Sequence, residues 1–313
     1  MIVRQEATMI SLTVIGPGGI SRRFLQGMAE VSGARVTSFV SRNPSRCAGL
    51  AEEFRVETIG SLEEILSSGT VQAAYIAVPN HVHAQTIRAC LSHGIHVLCE
   101  KPITLTHREY LDLLAEAHDR RLVLMEAQKA LYTPVFKEIR SLLEAGTLGN
   151  IQTVEAGYCR NNRLPDDSWR MCAPGKGALY DVGCYPISVL FGLFGCDLRE
   201  TGRSETFKND TDIGGMIRFS ASGMQAEVRY SMTEDGLCDL NIIGSKGELH
   251  AHEYWKSDTF SVTVQGRQQN YAFPFASEFA FETSRFIERI ENKEYRDQPM
   301  EKITAHVLKI LER

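Results

Sequence analysis

Through residue 128, short and nearly unbroken apolar runs alternate with amphipathic stretches. Ser11–Ile15, Arg35–Val40, Ala73–Val78, His96–Cys99 and Leu122–Met125 read as strands. Between them, helices are predicted on to about Ser32, from Asn43-Pro44, from the capping box Ser61-Leu62-Glu63-Glu64, over about Val82–His93, and from a second box at Thr106–Glu109. Continuous apolar strands separated by helices predict a doubly wound parallel sheet with both faces covered.

The rhythm changes near residue 130. Thr133-Pro134 opens a helix ending near Gly146, and strand-like runs then dominate: Ile151–Tyr158, Met216–Phe219, Met224–Met232, Asp239–Ile243 and Phe260–Val264. Short turns rich in Gly, Ser, Asn and Asp join them, which predicts an antiparallel sheet. Two amphipathic helices follow, at about 277–292 and 300–311. The expected plan is an α/β domain over 1–128 and an α+β domain over 129–313.

Composition narrows the classes. At 313 residues with 43% hydrophobic and 23% charged residues, the chain can bury two ordinary cores. A net charge of -5 without a basic stripe argues against a nucleic-acid binder. No apolar run approaches the roughly 20 residues that span a bilayer. The eight cysteines include no C-x-x-C pair and read as reduced thiols in a cytoplasm. Residues before Met9 read as a short extension lacking a long apolar signal core.

Gly16-Pro17-Gly18-Gly19-Ile20-Ser21 follows the first strand and opens the first helix. Gly16 permits the tight turn, Gly18 lets the backbone approach a pyrophosphate, and Ser21 stands where a third glycine or alanine is usual. In this context the motif predicts dinucleotide binding on the first helix N-terminus. After the second strand, where a carboxylate would hold the ribose hydroxyls of NAD, the chain has Ser41-Arg42. A guanidinium suits a phosphate, so NADP is the preferred cofactor and NAD the alternative.

Glu100-Lys101-Pro102 lies just beyond the strand HVLC, at the sheet edge where ligands of open α/β folds bind. Together with VIGPGGIS at 14–21, AVPNHVHAQ at 77–85, GTLGNIQTV at 146–154 and WRMCAPGKGALYDVGCYPI at 169–187, it makes nearly the whole chain resemble the glucose–fructose oxidoreductase, inositol dehydrogenase and MocA family. The resemblance implies a Rossmann domain and a second domain on an open antiparallel sheet whose exposed face makes dimers or tetramers. It implies an NAD(P)-dependent oxidoreductase of a sugar, polyol or related carbohydrate-like small molecule, while charge and hydropathy argue against nucleic acid or membrane as partner. Lys101 matches the family's catalytic lysine and Asp181 the acid of its D-x-G-x-[HY] motif. Tyr185 falls where inositol dehydrogenases carry His, as in glucose–fructose oxidoreductases and dimeric dihydrodiol dehydrogenases. Pro79, Asn80, His83 and Glu100 match the cofactor-side segments, and Trp169-Arg170 a pair on the substrate side. Lys176 departs from a glycine and is expected to perturb its turn.

The implied chemistry needs one proton managed beside the hydride transfer. A cationic Lys101 stabilises a tyrosinate at Tyr185, which makes Tyr185 the acid/base and Lys101 its electrostatic partner; the reverse assignment, with Lys101 as proton donor, stays open. Asp181, four residues before Tyr185, would orient the pair or accept a substrate hydroxyl. His81, His83, His93 and His96 lack metal-ligand spacing, so no metal is expected. Lys129 either lines a pocket or is a solvated helix residue. Two other uses of such a site are a glycosidase that oxidises its sugar transiently and a non-catalytic NAD(P) sensor.

Overall fold

A computed structural model describes residues 9–312, and the extension read before Met9 lies outside them. Two compact units emerge. The first runs through Thr104 and adds Arg108–Ala127 and Ser277–Asp297; the second takes Leu105–His107, Gln128–Ala276 and the chain from Gln298 on.

The first unit is a doubly wound sheet. Its strands are β1 (Ile10–Ile15), β2 (Ala34–Val40), β3 (Thr58–Gly60), β4 (Ala73–Ile76), β5 (His96–Glu100) and β6 (Leu124–Ala127). They lie in the order β3-β2-β1-β4-β5-β6, every pair parallel. The helices are α1 (Gly19–Met28), α2 (Pro44–Glu53), α3 (Leu62–Ser67), α4 (His83–Ser92) and α5 (His107–Asp119). Ser61 and Glu64 make the expected capping box on α3. Residues 73–76 are fully buried, as an unalternating apolar run requires, and Tyr75 stacks on Phe24 of α1. β6 starts two residues later than predicted, because Arg121 turns left-handed at φ 56° and the Leu122 amide closes the end of α5 on Ala117.

The helix predicted at 277–292 belongs to this unit, where the sequence pattern placed it in the second domain. It is Phe279–Glu291, and it needs the small Gly27 of α1: a Cβ there would come within 2.8 Å of the Phe279 Cβ. Phe279, Phe286 and Ile287 are buried, and Arg23 pairs with Glu278 and covers the Phe279 ring.

The second unit holds α6 (Pro134–Glu144), the short α7 (Trp169–Cys172), α8 (Cys184–Phe194) and, after the Phe279–Glu291 helix α9 of the first unit, α10 (Gln298–Leu311). Thr133 caps α6 by accepting from the Phe136 amide. The sheet comprises β7 (Ile151–Cys159), β8 (Arg199–Lys208), β9 (Thr211–Ala221), β10 (Met224–Ser231), β11 (Asp239–Gly244), β12 (Gly247–His252), β13 (Thr259–Val264) and β14 (Arg267–Ala272). Its order is β14-β13-β12-β11-β7-β10-β9-β8. All pairs are antiparallel except β7 with β10, which run parallel, so the sheet is mixed where turns alone predicted antiparallel pairing.

His96 at the start of β5 carries a prediction. Its Nδ1 faces the Val123 amide, which must donate, so this nitrogen must stay unprotonated; burial pushes the imidazole down to about 4. The unfolded chain therefore binds the extra proton first. Stability is whole above about pH 6.5 and falls as pH drops towards 4, by at most about 3 kcal/mol from this group. Denaturant unfolding of wild type and His96→Gln across that window should show the variant's stability less dependent on pH; parallel curves would contradict it.

Candidate active site

The first unit supplies a cradle. Gly16 leaves β1 at φ 84°, and a Cβ there would meet the Val78 Cγ1 at 2.8 Å, so only glycine fits. Ser21 is fully buried and its hydroxyl donates to the Gly16 carbonyl at 3.1 Å, so this side chain ties helix to turn where a smaller residue would merely avoid a clash. Gly18 heads α1 in an extended conformation with no side-chain cap, no acidic residue occupies the first turn, and a Cβ on Gly19 would meet nothing within 4 Å. The amides of Gly19 and Ile20 thus open a helix whose positive end carries no protein anion. A pyrophosphate fits that vacancy of charge.

Beyond β2, the Ser41 amide is bonded to the Gly60 carbonyl, and Arg42 is exposed with no ion-pair partner among the described residues. After β4, Pro79 leads into Asn80, which is buried, and then His83, which is 1% exposed. The two His83 ring nitrogens lie 2.9 Å from the Pro102 and Val78 carbonyls. Burial lowers the affinity of His83 for a proton while those carbonyls act in the opposite sense. His83 therefore braces two loops at the carboxyl ends of β4 and β5.

The E-K-P segment is held by two buried carboxylates. Glu100 accepts from the Tyr75 hydroxyl at 2.6 Å and from the Lys101 amide at 3.3 Å. Glu126, which sequence reasoning did not single out, accepts from the Ile103 amide at 2.9 Å. Lys101 is half-buried between these anchors. Burial beside Glu100 and Glu126 pushes the adjacent Cys99 thiol well up, which leaves it inert.

In the second unit, the glycine-rich turn survives its lysine. Gly175 and Gly177 take the left-handed positions, at φ 71° and 100°, and Lys176 pairs with Asp210 at 2.6 Å, which holds that carboxylate below its usual range. The lysine occupies the one place between them that needs no positive φ. A Cβ on Gly177 would run into the Asp212 carboxylate, which accepts from the Leu179 amide at 2.7 Å and so starts the next turn.

That turn, Leu179–Gly183, is π-helical and continues into α8. It carries Asp181, whose carboxylate pairs with the Arg170 guanidinium at 3.2 Å; Arg170 in turn lies over the Trp169 ring. Tyr185 stands in the first turn of α8 and is 7% exposed. Its hydroxyl accepts a hydrogen bond from Lys129 Nζ at 2.8 Å. Its ring stacks on Tyr158, which packs on Trp255. Tyr254 beneath Trp255 is so buried that its hydroxyl is pushed well up and stays protonated.

The structure thus joins Glu100 to Lys101, and Asp181 to Arg170 and Trp169. It places Lys101 in the first unit and Tyr185 in the second. The lysine within hydrogen-bond reach of Tyr185 in its own unit is Lys129, which is buried rather than a solvated helix residue.

Comparison with known proteins accords with this picture. Residues 10–128 match an oxidoreductase family with an NAD-binding Rossmann fold, and residues 136–250 match the Gfo/Idh/MocA C-terminal domain. The chain is 30% identical over 240 residues to a dTDP-3,4-didehydro-2,6-dideoxy-alpha-D-glucose 3-reductase of Streptomyces antibioticus, covering 75% of this chain and 73% of that one. It is 28% identical to the NADP(+)-dependent scyllo-inositol 2-dehydrogenase of Bacillus subtilis, covering 91% and 90%. A 3-ketoreductase from Actinomadura kijaniata, solved with NADP and TDP-benzene, superposes with a TM-score of 0.89 at 25% identity, covering 97% of this chain and 96% of the other. The chain belongs to the Gfo/Idh/MocA family of NAD(P)-dependent oxidoreductases.

Proposed function

We propose that this enzyme uses NADP to interconvert a hydroxyl and a carbonyl group on a sugar or polyol, with Tyr185 and Lys101 managing the proton. The observation that carries the reading is Tyr185: a buried phenol, already met by an ammonium, in a chain of an oxidoreductase family. The nicotinamide supplies the hydride acceptor or donor. As tyrosinate, Tyr185 takes the hydroxyl proton in oxidation and becomes the phenol; as the phenol, it gives that proton to the substrate oxygen in reduction. Lys101 steadies the negative charge that develops on the reacting oxygen. Asp181, fixed by Arg170, presents a carboxylate to a neighbouring substrate hydroxyl. The substrate class is supported by the relatives, whose names describe enzymes of inositol and of a deoxysugar nucleotide. The first unit is assigned to the nucleotide, and the second, without residues 277–297, to the substrate and to self-association through the sheet.

Gly16, Gly18, Gly19 and Ile20 would hold the pyrophosphate, and Ser41 and Arg42 the 2′-phosphate. Binding should therefore favour NADP over NAD by about tenfold or more, about 1.4 kcal/mol. Arg42→Ala should erase most of that preference by weakening NADP alone, as read by quenching of protein fluorescence on titration with each nucleotide. An unchanged ratio would reassign the 2′-phosphate site.

A further inference from the structure

We infer that Lys129 is a positioning residue that sets the direction of the Tyr185 proton; this rests on the role of Tyr185 proposed above. An ammonium has three N–H donors and no lone pair. In the 2.8 Å contact the phenol oxygen must therefore be the acceptor, so the Tyr185 O–H points away from Lys129. A tyrosine left to itself can turn its hydroxyl to either of two orientations in the ring plane. Here one lone pair is occupied from a fixed side, and the proton faces whatever reacting oxygen arrives opposite. The same ammonium lies 4.7 Å from the Tyr185 ring centroid, which places a positive charge against the phenol during proton loss.

The placement is built by packing. Lys129 is only 2% exposed, an expensive site for an ammonium unless its partners repay the desolvation. It opens a tight turn, Lys129–Leu131; Leu131 of that turn and Phe136 of α6 press on Gly192 of α8, where a Cβ would come within 2.8 Å of Phe136 Cζ and 3.0 Å of Leu131 Cδ2. Gly192 stands two helical turns beyond Tyr185 on α8, so the face that admits Leu131 also carries Tyr185. The absent side chain at 192 lets the 129–136 segment approach and so delivers the lysine to the phenol. Gln128 beside it is equally buried, and neither atom of its amide is hydrogen-bonded among the described residues.

The test is a double-mutant cycle with NADP and scyllo-inositol or D-xylose, whichever the wild type turns over. Lys129→Met keeps the volume and removes charge and donor. Its kcat should fall about a hundredfold, while KM and the Kd of NADPH, read by nucleotide fluorescence, change less than about threefold. Added to Tyr185→Phe, it should cause no further loss, because its effect passes through the missing oxygen. Ethylammonium should restore turnover to Lys129→Ala in a saturable manner and leave Tyr185→Phe unaffected. Wild-type kcat in Lys129→Met, an additive double variant, or no rescue of a folded Lys129→Ala overturns the role of Lys129. Wild-type kcat in Tyr185→Phe instead overturns the reading of Tyr185 on which it rests.

Discussion

Lys101→Met is expected to lower kcat about a thousandfold, equivalent to about 4 kcal/mol of transition-state stabilisation. The size follows from where the lysine sits. It is half-buried at the carboxyl end of β5, and its backbone is clamped by Glu100 on one side and by the Glu126–Ile103 bond on the other. Those braces join the two carboxylates to main-chain amides and the Tyr75 hydroxyl and do not use the Lys101 ammonium, so removing it leaves them intact. The variant should keep its unfolding midpoint within a few degrees and still bind NADPH. Steady-state kinetics with a thermal melt checks this. Wild-type kcat in a folded variant would remove Lys101 from the chemistry.

Tyr185→Phe should cost about a hundred- to a thousandfold in kcat, the range of a lost general acid or base. The change deletes one oxygen and leaves the ring stacked on Tyr158. Stability should also drop, by about 1–3 kcal/mol, because the Lys129 ammonium loses a buried acceptor. Two effects on different readouts are thus expected from one atom. A melt as stable as wild type would contradict the hydrogen bond, and unchanged turnover would contradict the catalytic role.

Parts of this site are legible in the sequence, and the reasons differ by element. Strands such as 73–76 announce themselves because both faces are buried and no polar residue can interrupt the run. The glycine turn is legible because a left-handed φ at Gly16 and an uncapped helix start leave a fixed trace. By contrast, β8 (RETGRSETFK) and β14 (RQQNYA) are mostly exposed strands at the two ends of the sheet, with no apolar alternation to read. The parallel pairing of β7 with β10 joins strands far apart in sequence, about which turn residues say nothing. α9 returns to the first unit through contacts such as Gly27 with Phe279, 252 positions apart, which no local pattern encodes.

Lys129 shows the same limit at the level of chemistry. In MEAQKALYT it is an ordinary lysine, and propensity favours a solvated one. Its burial depends on Gly192, 63 residues on, being small enough to admit Leu131 and Phe136. Charge identity is written locally, whereas the partner of a charge is written by packing.

The most direct measurement is absorbance in the reduced-nicotinamide band on mixing the purified enzyme, NADP and a panel holding scyllo-inositol, myo-inositol, D-xylose and D-glucose. A progressive rise is expected with at least one of these, dependent on enzyme and slowed about a hundredfold or more in Lys101→Met and Tyr185→Phe. Tight binding of NADPH with a flat trace across the panel, in both the forward direction and the reverse one with the matching ketoses and lactones, would contradict it.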